Sequence, residues 1–183
     1  MARDILFIQG AGADTHDDWD NKLVESLALS LGQRYWVHYP RMPNEDEPSY
    51  APWKSAIADN IDKLGDGLII VAHSIGAMIL VNAMASGPTN YTINGLFLIA
   101  TPFIGEGGWT SREITVRKNL GAKLPADTPV FLYHGDADET VPFDHLDLYA
   151  RAIPRAKIRR LKGRNHQLNN DLREIAHDIL SLG

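Results

Sequence analysis

Three residues that lie far apart in the chain carry the side chains that nucleophilic catalysis requires: Ser74, Asp138 and His166. A serine hydroxyl is a weak nucleophile and needs a neighbouring base to take its proton. Histidine suits that task because its pKa lies near neutrality, and a carboxylate can fix its tautomer and stabilise its charged form. Brought together, the three side chains would cleave an acyl compound through an acyl-enzyme, a route that needs no cofactor and no metal.

Ser74 is predicted to lie on a sharp corner between a strand and a helix. Residues 68–72 form a short apolar run rich in β-branched side chains, typical of a buried parallel strand. After Ser74, small and apolar residues recur at helical spacing. The corner matches the G-x-S-x-G pattern of a nucleophile elbow, with Ala72 in place of the first glycine. An ordinary turn in which Ser74 caps the helix is the alternative.

Asp138 and His166 each follow a later predicted strand, at residues 129–134 and 156–161. Asp136 competes with Asp138 for the role of the acid. The Gly-x-x-Asp spacing favours Asp138, whereas Asp136 is more typical of a turn residue that binds local backbone amides.

A glycine-rich segment, Gly10-Ala11-Gly12, follows the first predicted strand, residues 4–9. It lacks the Gly-Lys-Ser/Thr of a phosphate loop and the full G-x-G-x-x-G spacing of a dinucleotide site. Its alternative use is as half of an oxyanion hole, because glycine lets backbone N–H groups approach a ligand closely.

Strand and helix patterns alternate about six times, which predicts one α/β domain over residues 1–183. We expect a mostly parallel sheet of about six strands, covered by helices on both faces in a three-layer α/β/α sandwich. Ligands bind at the carboxyl ends of the strands in such sheets, so the serine, the acid, the histidine and the glycine segment should face one crevice. Residues 101–128 are either a partly helical cover, with a helical pattern at 112–120, or a plain connection.

These motifs together resemble the α/β-hydrolase superfamily over essentially the whole chain. Within it, Tyr39-Pro-Arg-Met-Pro43 and Asn165-His-Gln-Leu-Asn169 are similar to the compact serine-hydrolase branch that contains the retinoblastoma-binding-protein-like proteins. The resemblance implies a minimal fold without a large cap domain. It also implies Ser74 as nucleophile, His166 as general base, Asp138 as orienting acid, and the amides of Ile75 and Ala11 as the oxyanion hole.

Composition limits the partners of the chain. A net charge of −5 and a 44% hydrophobic content indicate a globular protein that binds neither nucleic acid nor anionic membranes in general. The basic run at 155–164 is interpreted as the solvated edge of a strand, with an anion-binding surface as the alternative. The acids at 14–20 favour a helix N-terminus, with metal ligation as the alternative. The absence of cysteine excludes thiolate chemistry, and with no signal-peptide core we expect a cytoplasmic location.

The expected substrate is a small-molecule acyl ester, cleaved by a carboxylesterase-like serine hydrolase. Thioester or amide hydrolysis on the same three residues is an alternative, because the fold alone does not choose among them. A second alternative is an interaction protein that keeps the hydrolase scaffold. Gly10, Gly12, Met42, Phe103 and Trp109 are expected to contact the substrate.

Overall fold

Six parallel strands form a single sheet in the order β2-β1-β3-β4-β5-β6 in the computed structural model, which describes residues 3–87 and 90–183. The strands at residues 68–73 and 130–135 are buried along their whole length, because helices cover both of their faces. The strands are β1 (Arg3–Ile8), β2 (Tyr35–His38), β3 (Leu68–His73), β4 (Ile93–Ile99), β5 (Val130–Gly135) and β6 (Lys157–Leu161).

Among the residues that the structure describes, six α-helices accompany the sheet, and two separate apolar clusters show which face each main helix covers. One cluster joins the sheet to α2, α3 and α5, and the other joins it to α1 and α6. This is the expected three-layer sandwich. The helices are α1 (Asp20–Leu31), α2 (Tyr50–Leu64), α3 (Ser74–Met84), α4 (Leu120–Lys123), α5 (His145–Ala152) and α6 (Arg173–Leu180).

The edge strand β6 carries half of the basic residues of the run at 155–164. Lys157, Arg159 and Arg160 are exposed, while Ile158 and Leu161 are half-buried. Arg159 pairs with Asp178, and Arg160 with Asp147. The run is therefore a solvated strand edge whose charges are partly neutralised. Within the described part of the chain, no helix is long and apolar enough to cross a membrane.

The helix that the sequence predicted at residues 112–120 is not formed, and that prediction is wrong. Only the short α4 is helical in the segment between β4 and β5. The Ser111 hydroxyl accepts hydrogen bonds from the amides of Glu113 and Ile114, each at 3.1 Å. Such side-chain bonds compete with helix formation, and β-branched residues at 114–116 weaken helix propensity further.

The start of α3 crosses β1 at very close range. An added Cβ at Gly76 would lie 2.1 Å from the carbonyl oxygen of Gln9 and 2.8 Å from the Ile8 side chain. Only a residue without a side chain fits there, because the first of these contacts is with backbone that cannot rotate away. The second glycine of the G-x-S-x-G pattern is thus a packing requirement of this fold.

We expect Gly76→Ala to lower the free energy of unfolding by about 2–3 kcal/mol or more, because the methyl group must push α3 away from β1. Urea denaturation of the purified variant measures this loss. Gly87→Ala is the matched control, since an added Cβ there meets nothing within 4 Å. Equal stability of the two variants would contradict the close crossing.

Candidate active site

Ser74 occupies a strained corner between β3 and α3. Its backbone φ is +50°, in the left-handed region that side chains other than glycine adopt only rarely. His73 is the last residue of β3 and α3 begins at Ser74 itself, so the turn is tighter than the three residues that the sequence indicated. Gly10 leaves room for it, because an added Cβ there would lie 3.2 Å from the Cβ of Ser74.

The structure brings Ser74, His166 and Asp138 into one hydrogen-bonded chain. The Ser74 hydroxyl lies 3.0 Å from Nε2 of His166, and Nδ1 of His166 lies 2.8 Å from Oδ2 of Asp138. In the neutral tautomer with the proton on Nδ1, His166 donates to the carboxylate and accepts from the serine. This is the geometry that allows histidine to take the serine proton.

Asp138 is held as a carboxylate by several donors. Its Oδ1 accepts hydrogen bonds from the amides of Thr140 and Val141, at 2.8 and 2.9 Å. Its Oδ2 faces Nε2 of a second histidine, His134, at 3.1 Å. Burial opposes the charged form, but the hydrogen bonds from His134, His166 and the Val141 amide outweigh it, so the pKa of Asp138 lies well below its usual value.

The loops that carry Asp138 and His166 are bound directly to each other. The Ala137 amide donates to the carbonyl of Arg164 at 3.1 Å, and an added Cβ at Gly135 would lie 2.0 Å from that same oxygen. The rival acid, Asp136, accepts a hydrogen bond from the Gly163 amide at 2.6 Å. Asp136 therefore binds backbone, as a turn residue was expected to, but across to the histidine loop rather than locally.

His166 itself is largely shielded from solvent. Burial lowers its pKa, and the neighbouring ring of His73 acts in the same direction. The hydrogen bond to Asp138 opposes both effects, and the net pKa stays below the ordinary value for histidine. The ring is therefore neutral, and able to accept a proton, at physiological pH.

The sequence predicts the backbone amides of Ile75 and Ala11 as the donors of the oxyanion hole. Ile75 lies in the first turn of α3, where amides have no acceptor within their own helix. On the facing loop, the amide of Gly10 donates to Asp20 and that of Gly12 to the carbonyl of Glu45, each at 2.7 Å. The Ala11 amide between them has no acceptor in the described part of the chain. The assignment of these two amides as the oxyanion hole stays a prediction.

Asp20 and His73 form a buried pair directly behind His166, and the sequence did not single out this pair. Asp20 is fully buried at the start of α1, and its Oδ2 accepts from the Gly10 amide and from Nδ1 of His73, the latter at 2.9 Å. Nε2 of His73 faces the backbone carbonyl of His166 at 3.1 Å. In the sequence, Asp20 resembles the neighbouring acids at 14–18, and nothing there distinguishes it as buried.

The other acids near α1 are placed differently. Asp17 and Asp18 are exposed, and Asp17 pairs with Arg41 and His16. Across residues 3–87 and 90–183, no group of three or more histidine, aspartate or glutamate side chains has the arrangement of a metal site. The structure thus gives no support to the metal alternative for this cluster.

A small apolar cavity of about 190 Å³ lies beside Ile75, the residue that follows the candidate nucleophile. Its apolar walls come from α3 and from the irregular segment after β4. A larger groove, about 270 Å³, lies between α2 and the opposite end of α3. The smaller cavity is the candidate acyl pocket, because Ile75, the residue after Ser74, is among its lining residues and is not among those of the groove. It is lined by Tyr50, Ile75, Met78, Ile79, Ile104, Trp109 and Ile114, with four polar or proline neighbours at 48, 110, 111 and 113.

Of the expected substrate contacts, Trp109 lines this cavity, whereas Met42 and Phe103 do not. The Met42 side chain is buried in the core, and its amide donates to the Gln9 carboxamide at 2.9 Å. Phe103 packs edge-on against Tyr149, with ring centroids 5.0 Å apart. Contact of Met42 and Phe103 with the substrate stays a prediction.

Solved structures with the same fold are found over nearly the whole chain. A bromoperoxidase from Bacillus anthracis superposes with a TM-score of 0.71 at 16% identity, covering 100% of this chain and 92% of its own. Esterase PE8 gives 0.71 at 15% identity, with 99% and 93% covered. A monoacylglycerol lipase from Paleococcus ferrophilus gives 0.69 at 15% identity, with 98% and 95% covered. At such identities the likeness shows the α/β-hydrolase fold alone.

Comparison of the sequence with curated proteins returns no match. A family model is more informative, because it is built from the sequence pattern of a whole family rather than from one member. The model described as "Serine hydrolase" matches residues 5–171, which include all six strands except the first two residues of β1. The chain therefore belongs to the serine hydrolase family.

Proposed function

We propose that this protein hydrolyses small acyl esters through an acyl-enzyme on Ser74, with His166 as general base and Asp138 as the acid that orients it. The observation that carries the proposal is the continuous chain from the Ser74 hydroxyl through His166 to Asp138, with steps of 3.0 and 2.8 Å. The strained backbone at Ser74 supports it, because strain of this kind persists where the surrounding structure enforces it and is common at active sites.

The reaction follows from this chain of contacts. As Ser74 Oγ attacks the ester carbonyl, its proton passes to Nε2 of His166, and Asp138 stabilises the imidazolium that forms. The Ile75 and Ala11 amides donate to the oxyanion. His166 then gives the proton to the departing alkoxide, which leaves as the alcohol. Water repeats the sequence: it loses a proton to His166 and attacks the acyl carbonyl, and the bond to Ser74 Oγ then breaks. His166 returns the proton to the departing Oγ, so that the acid, the free serine and the neutral histidine are formed.

The small cavity favours a short acyl group. At about 190 Å³ it is below the range of about 300–1,000 Å³ usual for drug-sized ligands. Its largely aliphatic and aromatic lining provides little to bind a charged acyl chain, although Glu113 lies at its edge. The intact hydrogen-bonded chain favours an enzyme over an interaction protein, since binding alone does not require a strained serine next to a neutral histidine.

Ser74→Ala should abolish esterase activity, lowering kcat/KM for p-nitrophenyl acetate by at least about 10⁴-fold, because no other group replaces the attacking oxygen. Ser86→Ala, at an exposed serine after α3, is the control and should behave as the wild type. A fluorophosphonate probe should label the folded wild-type protein at Ser74 only, as read by peptide mass spectrometry. Full activity of Ser74→Ala would refute the proposal.

The pH dependence of kcat/KM should show a rising limb with its midpoint below about 6.5, the ordinary pKa of histidine. His166 must be neutral to act as a base, and burial together with His73 lowers its pKa, so the active form persists to lower pH. Initial rates with p-nitrophenyl acetate between pH 4.5 and 8 measure the midpoint. A midpoint above 7 would contradict the conclusion that burial and His73 lower the pKa of His166.

Trp109→Ala should shift the acyl-length preference upward by opening the wall of the cavity. Two further buried methylenes are worth about 0.8 kcal/mol each, so the ratio of kcat/KM for hexanoate to that for butyrate should rise about tenfold. The matched control is Trp36→Ala, at an exposed tryptophan on β2 that does not line the cavity. The same ratio in both variants would place the acyl group elsewhere.

A further inference from the structure

The two ring nitrogens of His73 both face hydrogen-bond acceptors. Nδ1 lies 2.9 Å from the Asp20 carboxylate, and Nε2 lies 3.1 Å from the backbone carbonyl of His166. A neutral imidazole carries one N–H and can satisfy only one of two such acceptors. A doubly protonated ring satisfies both, and it is therefore the form that these contacts favour.

The surroundings of Asp20 also require a positive charge. Asp20 is fully buried, and its Oδ1 has no hydrogen-bond partner among the described residues. A buried carboxylate with an unpaired oxygen is costly unless a cation lies beside it. His73, whose Nδ1 lies 2.9 Å from Asp20, is the residue beside it that can carry such a charge.

The pair lies against the base of the proposed triad. The rings of His73 and His166 are 4.7 Å apart between centroids, and His73 is 1% exposed, so solvent screens the interaction weakly. His73 is the last residue of β3, Asp20 begins α1, and His166 lies in the loop after β6. The hydrogen bonds of His73 therefore join three separate elements at the back of His166.

We propose that Asp20 holds His73 as a buried imidazolium, and that this cation is a positioning group for His166 that favours the neutral, proton-accepting form of its ring. The role of the neutral His166 ring as a proton acceptor rests on the proposed function. The charged state of His73 and its effect on the titration of His166 do not, and can be measured without turnover.

The titratable groups around the two rings set the direction of the effect. Asp20 faces His73 from α1, Asp138 faces His166 from the loop after β5, and His134 lies beyond Asp138. Burial opposes the charged form of His73, but Asp20 outweighs it, and its pKa is raised. The positive charge of His73 disfavours a second one on His166, while Asp138 and the more distant Asp20 favour it.

The first experiment observes the ring nitrogens of His73 directly, by long-range ¹H–¹⁵N NMR of the full chain at pH 7. Both nitrogens should show the chemical shifts of protonated sites, and Asp20→Asn should return the ring to a neutral form with one unprotonated nitrogen. One unprotonated nitrogen on His73 in the wild-type protein would overturn the proposal. The measurement on the wild-type protein does not depend on the stability of any substituted protein.

The second experiment follows the NMR titration of His166 in His73→Gln, whose neutral amide keeps one donor but removes the charge. The midpoint should rise by about one pH unit relative to the wild type, because a cation a few ångströms away in a poorly screened site has been lost. The rising limb of kcat/KM should move by the same amount. A merely structural role would lower kcat without moving either midpoint.

His38→Gln is the matched control, because it removes another histidine–aspartate pair, His38 with Asp4, at the exposed edge of the sheet. Its His166 midpoint should equal that of the wild type. Equal midpoints in folded His73→Gln and His38→Gln would overturn the proposal. If Ser74 proved unreactive while the midpoint of His166 still moved, the proposed function would fail and this inference would stand.

Discussion

The close approach of β1 to the corner at Ser74 is the constraint on which the site depends. β1 ends against the start of α3, where the Gln9 carbonyl leaves no room for a side chain at Gly76 and where Gly10 lies against His73 and Ser74. Packing of this density fixes the direction of α3 and keeps Ser74 at a φ that it would not adopt in an open turn. The hydroxyl is consequently directed by backbone geometry, rather than by the rotamer of a mobile loop residue.

The same constraint links the corner to the other loops at the carboxyl edge of the sheet. The carboxamide of Gln9 contacts Glu45 and accepts from the Met42 amide, so the loop after β2 is held against the end of β1. On the other side, Gly135 and the Arg164 carbonyl bring the loops after β5 and β6 together. The Gln9 side chain on one side and contacts between loop backbones on the other thus hold the loops around the serine–histidine–aspartate chain.

Sequence reasoning located the three residues of this chain because parallel strands bring their carboxyl ends to one edge, and Ser74, Asp138 and His166 each follow a strand. It also predicted the sheet and the helices on its two faces. It did not find Asp20, since burial of one acid among several depends on how α1 packs against β1. It predicted a helix at 112–120 from the helical pattern there, and it gave too little weight to the β-branched residues at 114–116. The bonds of Ser111 to nearby amides are visible only in the folded chain.

His166 lies between the carboxylate of Asp138 and the His73–Asp20 pair, and the electrostatic effects of these two neighbours on its ring oppose each other. Asp138 receives its hydrogen bond and favours the imidazolium, which the transition state requires. His73, with Asp20 behind it, presents the positive end of its pair and favours the neutral ring, which the resting state requires. The hydrogen bond to Asp138 on its own raises the affinity of His166 for its proton. A cation on the opposite side offsets that tendency while leaving the hydrogen bond to Asp138 intact, so the histidine can be both well oriented and free to accept.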